Sequence, residues 1–136
     1  MQSNPYLYFD GTCETAFKFY EATLGAKTLV LMRNAGTPAE SQMPADWKDK
    51  IVHGRIEIAG TTVLASDAPP GHYSKPQGFT IALRTDTPAE ADRIFAALSE
   101  GGEAGMPIAE TFFAHRFGML TDRFGTPWMV NCEKPM

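Results

Sequence analysis

The order of predicted strands and helices repeats along the chain, and this repeat constrains the fold more than any other feature. In the first half the period-2 and helical patterns predict strands at 6–9, 28–32, 51–58 and 61–66, with a helix between the first two. Thr12 is the expected N-cap of that helix, and Gly25 suits its C-terminal end. The first half therefore has the order βαβββ.

The second half repeats that order after a Pro/Gly-rich connection. Strands are predicted at 79–84 and near 103–109, 113–121 and 127–132. A helix follows the first of them, with Thr87 as N-cap, Pro88 at its first position and Glu90 completing a capping box. Neither half buries its sheet alone. The sequence therefore predicts an α+β protein with a single domain over residues 1–136, in which modules at about 1–68 and 77–136 form curved sheets around a shared cavity.

Two strands show which side chains share a face. In the strand at 51–58, one face carries Val52, Ile56 and Ile58. The other face carries Ile51, His53, Arg55 and Glu57. The run 112–120 alternates in the same way, and Asp122–Gly125 supplies the turn before Pro127. His53 and His115 both fall in the third strand of their half.

Composition and charge exclude several function classes. A net charge of −4 in 136 residues, with no basic stripe, argues against nucleic-acid binding. No apolar run reaches the length of a membrane span, and the first residues lack the pattern of a signal peptide, so a cytoplasmic location is expected. Cys13 and Cys132 have no paired spacing and are expected to be reduced thiols.

Four segments resemble a known superfamily: 6–14, 53–60, 66–68 and the long run 112–131. They are similar to the vicinal-oxygen-chelate proteins, which include glyoxalase I, extradiol dioxygenases, and fosfomycin- and bleomycin-resistance proteins. Within that superfamily the chain resembles the PhnB-like branch, sometimes labelled 3-demethylubiquinone methyltransferase. The resemblance implies the glyoxalase-like fold and a homodimer, whereas many chemistries share this scaffold.

The resemblance also implies a divalent metal held by His and Glu on the first and last strands of each module. Here those strands offer other residues: Asn4, Pro5 and Tyr6; Ala65, Ser66 and Asp67; Phe79 and Thr80; Met129, Val130 and Asn131. Only Asp67 is a good hard ligand among them. The usual four-ligand site is therefore expected to be absent, and a site rebuilt around His53 and His115 is the alternative.

Eight residues are candidates for a ligand pocket: His53, Glu57, Asp67, Glu110, His115, Phe117, Trp128 and Asn131. Each has a structural alternative. The histidines could share a cavity or be hydrogen-bonded in the sheet, and Glu57 could line a pocket with Arg55 or face solvent. Asp67 could cap a turn, Glu110 could be a surface carboxylate, and Phe117, Trp128 and Asn131 could belong to the core.

Two functions remain open. The first is a metal-free protein that binds a small planar or aromatic compound; the acidic chain would suit a cationic one. The alternative is a metal-dependent lyase, isomerase or dioxygenase with a rearranged site. Methyl transfer finds no support in the sequence, because no Gly-rich strand-to-helix turn is followed by an acidic residue.

Overall fold

The structure, a computed structural model, describes residues 1–135 and divides into two compact units. The first unit is Met1–Ser74 and the second begins at Lys75. The elements of the first unit are β1 (Tyr6–Phe9), α1 (Cys13–Leu24), β2 (Lys27–Arg33), β3 (Ile51–Ile58) and β4 (Thr61–Asp67). Those of the second are β5 (Ile81–Arg84), α2 (Pro88–Ser99), β6 (Glu103–Ala109), β7 (Ala114–Thr121) and β8 (Pro127–Glu133). The predicted α+β class with two βαβββ modules is confirmed, and the prediction that both modules form one domain around a shared cavity stays a prediction.

Each unit contains one four-stranded sheet covered by its own helix. The strand orders are β1-β4-β3-β2 and β5-β8-β7-β6. The first strand of each unit pairs with the last in parallel, and the other pairs are antiparallel. No helix within residues 1–135 is long and apolar enough to cross a membrane.

The two cores lie between helix and sheet. In the first unit α1 buries Ala16, Phe17 and Tyr20, and the sheet contributes residues that include Leu7, Ile56 and Val63. In the second unit Leu83, Leu120 and Val130 are among the sheet residues of the core, and α2 buries the residues of one apolar stripe, Ala91, Ile94, Phe95 and Leu98. Burial of such apolar side chains supplies most of the favourable free energy of folding.

The two helices are capped differently at their N-termini. In α2 the hydroxyl of Thr87 accepts a hydrogen bond from the backbone N–H of Glu90 at 3.1 Å, as the sequence predicts. In α1 the side chain of Thr12 makes no capping bond, although Thr12 is the N-cap residue. Gly25 ends α1 in the left-handed conformation, with φ of 66°, which glycine adopts without strain.

Hydrogen bonds join the two ends of the segment between β2 and β3. Asn34 is buried, its backbone N–H donates to the carbonyl of Lys50 at 3.0 Å, and its amide donates to the carbonyl of Trp47 at 3.1 Å. Lys50 in turn donates from Nζ to the carbonyl of Gly11 at 2.8 Å. The loop between β2 and β3 is thus hydrogen-bonded to the turn that precedes α1.

Candidate functional site

The first sheet has one face covered by α1 and one face that α1 leaves free. A Cβ placed on Gly54 would lie 3.0 Å from Phe17 of α1, so the side-chain direction at Gly54 points to the helix. Because side chains alternate along a strand, His53 and Arg55 lie on the opposite face. We call this opposite side, which also carries Tyr6 and Tyr8, the open face of the first sheet.

Aromatic rings cluster on the open face of the first sheet. Tyr6 and Tyr8 alternate with buried Leu7 and Phe9, and they are 37% and 53% exposed. Their ring centroids are 4.9 Å apart, and the centroid of Tyr6 lies 6.2 Å from that of His53. These separations are typical of favourable ring–ring contacts. The cluster offers flat, half-exposed apolar surface.

A pocket of about 290 Å³ adjoins this cluster at the ends of β1 and β4. Tyr8, Ala68, Pro69, His72 and Ser74 line it. Most of its wall is apolar, while a phenol, an imidazole and a hydroxyl supply polar groups. Neither Tyr6 nor Tyr8 is among the pocket candidates that the sequence predicts, although their alternation with Leu7 and Phe9 is a signal that indicates them.

Arg55 is the cation at the centre of the same face. In the β-sheet register its neighbours are Val30 on β2 and Leu64 on β4, both apolar. Among the described residues Arg55 makes no ion pair. Glu57 differs, because its partner on β2 is Lys27. Arg55 and Glu57 do not form an ion pair with each other among residues 1–135, and both are exposed, which agrees with the alternative that Glu57 faces solvent.

Asp67 lies away from the open face and fastens backbone segments together. It is 7% exposed, and its carboxylate accepts hydrogen bonds from the backbone N–H of Cys13 at 2.9 Å and of Ile51 at 2.8 Å. Burial raises the pKa of Asp67, while the N–H donors of Ile51, Cys13 and Gly11, and the charge of Lys50, act in the other direction. The carboxylate thereby replaces the missing side-chain cap of α1, and this supports the turn-capping alternative.

Burial also changes the pKa of the Cys13 thiol. Desolvation, followed by the nearby charges of Asp67 and Glu14, raises its pKa well above the ordinary value. A thiol in this environment stays protonated and is a poor nucleophile. Cys13 and Cys132 are both free and buried, as predicted for reduced thiols.

In the second unit the candidate residues separate into core and surface. Trp128 is fully buried and donates from its indole to Asp122 at 2.8 Å, so it packs in the core. Phe117 and Asn131 are register partners on β7 and β8, and the ring of Phe113 lies 5.1 Å from that of Phe117. They alternate with buried Gly118 and Val130, so they lie on the face away from α2.

Glu110 and His115 are exposed. Glu110 pairs with Lys134 at 2.8 Å, and the hydrogen bond and charge of that ammonium lower the pKa of Glu110. This placement agrees with the surface-carboxylate alternative. His53 and Glu57 belong to the first unit, whereas Glu110, His115, Phe117, Trp128 and Asn131 belong to the second.

The chain is similar to known proteins over nearly its whole length. Residues 2–131 match the family model described as 3-demethylubiquinone-9 3-methyltransferase. Protein YjdN of Escherichia coli K12 is 37% identical over 142 residues, which cover 98% of this chain and 97% of that protein. The chain belongs to the PhnB-like branch of the glyoxalase superfamily.

Two solved structures are similar to this PhnB-like chain. The protein PA1353 from Pseudomonas aeruginosa is 45% identical, with a TM-score of 0.88 and 99% of each chain covered. A putative 3-demethylubiquinone-9 3-methyltransferase, the PhnB protein from Bacillus cereus, has a TM-score of 0.83 at 20% identity, with 97% of this chain and 99% of that one covered. The second likeness concerns the fold alone.

The side chains of this PhnB-like chain do not fit the divalent metal of the superfamily. Within residues 1–135 no group of three or more His, Cys, Asp or Glu side chains could hold a metal ion. Asp67, the one hard ligand at the usual positions, is engaged by backbone N–H groups. A transition metal or a hard cation normally takes several such ligands, and the described residues do not bring them together.

Proposed function

We propose that this PhnB-like chain is a small-molecule-binding protein that holds a flat aromatic ligand on the open face of the first sheet. The cluster of Tyr6, Tyr8 and His53 supports the proposal, because it combines close ring contacts with substantial exposure. A further ring stacked on these side chains would gain about 0.5–1.5 kcal/mol for each aromatic contact beyond its burial of apolar area.

The adjoining pocket fits the same ligand class. Its volume of about 290 Å³ lies near the lower end of small-molecule sites. Tyr8 belongs both to the pocket wall and to the ring cluster, so a flat ligand on the cluster can extend a substituent toward His72 and Ser74. These polar groups would orient the substituent, while the rings supply affinity.

Methyl transfer is no part of this proposal. In Rossmann-like folds, dinucleotides bind at an open turn between the first strand and its helix, where backbone N–H groups face the pyrophosphate. Here Trp47 and Lys50 cover that turn, with Cη2 of Trp47 3.1 Å from the Cβ position of Gly11. The backbone N–H of Cys13 at the start of α1 is bonded to Asp67 instead.

Titration with 2-naphthamide, a flat and uncharged probe, tests the proposed function. We expect binding to shift the NMR signals of Tyr6 and Tyr8, and substitution Tyr6→Leu or Tyr8→Leu to weaken binding about two- to tenfold through lost ring contact. Phe112→Leu is the matched control, because Phe112 is a 93% exposed aromatic residue of the second unit. Equal affinity in Tyr6→Leu and Phe112→Leu would overturn the proposal.

A further inference from the structure

Within residues 1–135 no acidic side chain forms an ion pair with Arg55. Val30 and Leu64 flank it across the sheet, and neither can accept a hydrogen bond through its side chain. The nearest residues on the same face of its own strand are His53 and Glu57, two positions away on either side. Glu57 lies opposite Lys27 in the register, whereas Arg55 has no acidic residue opposite it.

Arg55 and the aromatic cluster lie on opposite sides of one apolar residue. Leu64 is the register partner of Tyr6 on β1 and of Arg55 on β3. Since neighbouring strands are separated by about 4.8 Å, Tyr6 and Arg55 are about 10 Å apart across the sheet. A ring lying over Leu64 and against Tyr6 would direct a substituent toward the guanidinium of Arg55.

We infer that the ligand of the open face is a flat aromatic anion, in the simplest case an aromatic carboxylate, and that Arg55 determines this specificity. The guanidinium matches a carboxylate with two parallel N–H donors, a geometry that an ammonium does not offer. Tyr6, Tyr8 and His53 hold the ring, and Arg55 holds the charged end. The inference rests on the proposed function, since it names the ligand class of the same face.

The charge near the open face, rather than the net charge of the chain, determines whether an anion or a cation is preferred. The chain carries a net charge of −4, and by itself this would favour a cationic ligand. At physiological ionic strength, however, exposed charges more than about 8 Å away are largely screened. A ligand on the open face therefore responds mainly to Arg55, and the carboxylate of Glu57 keeps the anionic group at the Arg55 position rather than farther along the strand.

A matched pair of probes separates the charge from the ring. We would measure the dissociation constants of 2-naphthoate and 2-naphthamide at low and high salt for the unsubstituted chain, for Arg55→Gln and for Arg84→Gln. Arg84 is the control, because it is an exposed strand arginine of the second unit whose guanidinium lies 4.0 Å from Glu133. We expect naphthoate to bind about tenfold more tightly than naphthamide, the low end for a charged hydrogen-bonded pair. High salt should weaken only naphthoate binding.

Arg55→Gln should bring the ratio of the two affinities close to one, mainly by weakening naphthoate binding, whereas Arg84→Gln should keep the preference for naphthoate. Equal affinities of the two probes for the unsubstituted chain, or a preference that survives in Arg55→Gln, would overturn the inference while the proposed function stood. If neither probe shifts the signals of Tyr6 and Tyr8, the proposed function itself is wrong. Arg55 is exposed, so the Gln variant is expected to fold.

Discussion

Gly54 and Gly118 occupy equivalent positions in the two sheets, each facing an aromatic ring from the helix of its own unit. Gly54 pairs with Ala65, and Gly118 pairs with Val130. A Cβ on Gly54 would lie 3.0 Å from Cε2 of Phe17, and one on Gly118 would lie 2.7 Å from Cε2 of Phe95. The absence of a side chain at these positions lets each helix approach its sheet closely.

This equivalence separates the two strand histidines. His53 directly precedes Gly54, and the corresponding residue before Gly118 is Phe117. His115 lies three residues before Gly118 and therefore corresponds to Ile51. The histidines share the third strand of each module, as predicted, but they do not occupy equivalent positions, so the repeat gives no reason to pair them.

Substitution Gly118→Ala should destabilise the second unit. The new methyl group would meet the ring of Phe95 and lie 3.0 Å from the backbone Cα of Ile108, which cannot rotate away. We expect a loss of about 1–3 kcal/mol in the free energy of unfolding, the usual cost of overpacking. Urea denaturation measures it, with Gly105→Ala as the control, because nothing lies within 4 Å of the Cβ position of Gly105. Equal midpoints for the two variants would contradict this account.

Glu14 should stabilise the chain in a pH-dependent way. Arg33 donates from two nitrogens to its two carboxylate oxygens at 2.9 and 2.8 Å, and these bonds lower the pKa of Glu14 below its ordinary 4.5. The lowered pKa means that the contribution is complete above the ordinary value and is lost as the pH falls through the folded-state value.

The variant Glu14→Gln should therefore lose about 0.5–1 kcal/mol at neutral pH, a range typical of a half-exposed ion pair, and nothing at strongly acidic pH. Chemical denaturation across the pH range measures the difference. Glu21→Gln, an exposed position of the same helix, serves as control. A deficit that persists in acid would show that the salt bridge is not its cause.

Removal of the Asp67 carboxylate should cost more, because it is buried and accepts N–H bonds from separate segments. Asp67→Asn puts an NH2 group where one of the two oxygens accepted, so a backbone donor is left unpaired. We expect a loss of about 2–4 kcal/mol in the free energy of unfolding. Asp10→Asn, at an exposed position of the adjoining turn, should stay within about 0.5 kcal/mol. A similar midpoint for the two variants would rule out a structural role for Asp67.

The sequence predicted what local patterns determine. The predicted bounds 51–58 match those of β3, and the Thr87 cap of α2 is confirmed, because both depend on neighbours in the chain. The predicted face of Ile51 is wrong, since Ile51 is buried with Gly54, Ile56 and Ile58 rather than exposed like Arg55 and Glu57. The sequence could not assign Asp67 or Trp128 to the interior, since those placements depend on which face each helix covers. Asp67 is bonded to residues 16 and 54 positions away, and such contacts leave no periodic signal.

Measuring the metal content of the purified protein tests the expectation that its side chains do not bind a divalent ion. We expect protein purified without chelator to carry no stoichiometric Mn, Fe, Ni or Zn, since within residues 1–135 the potential ligands form no group of three. We also expect EDTA to leave the affinity for 2-naphthamide unchanged, because the open face holds its ligand through rings. Near-stoichiometric metal that is lost in a folded His53→Ala/His115→Ala double variant would contradict the first expectation and would favour the rebuilt metal site. Weaker naphthamide binding after EDTA treatment would contradict the second.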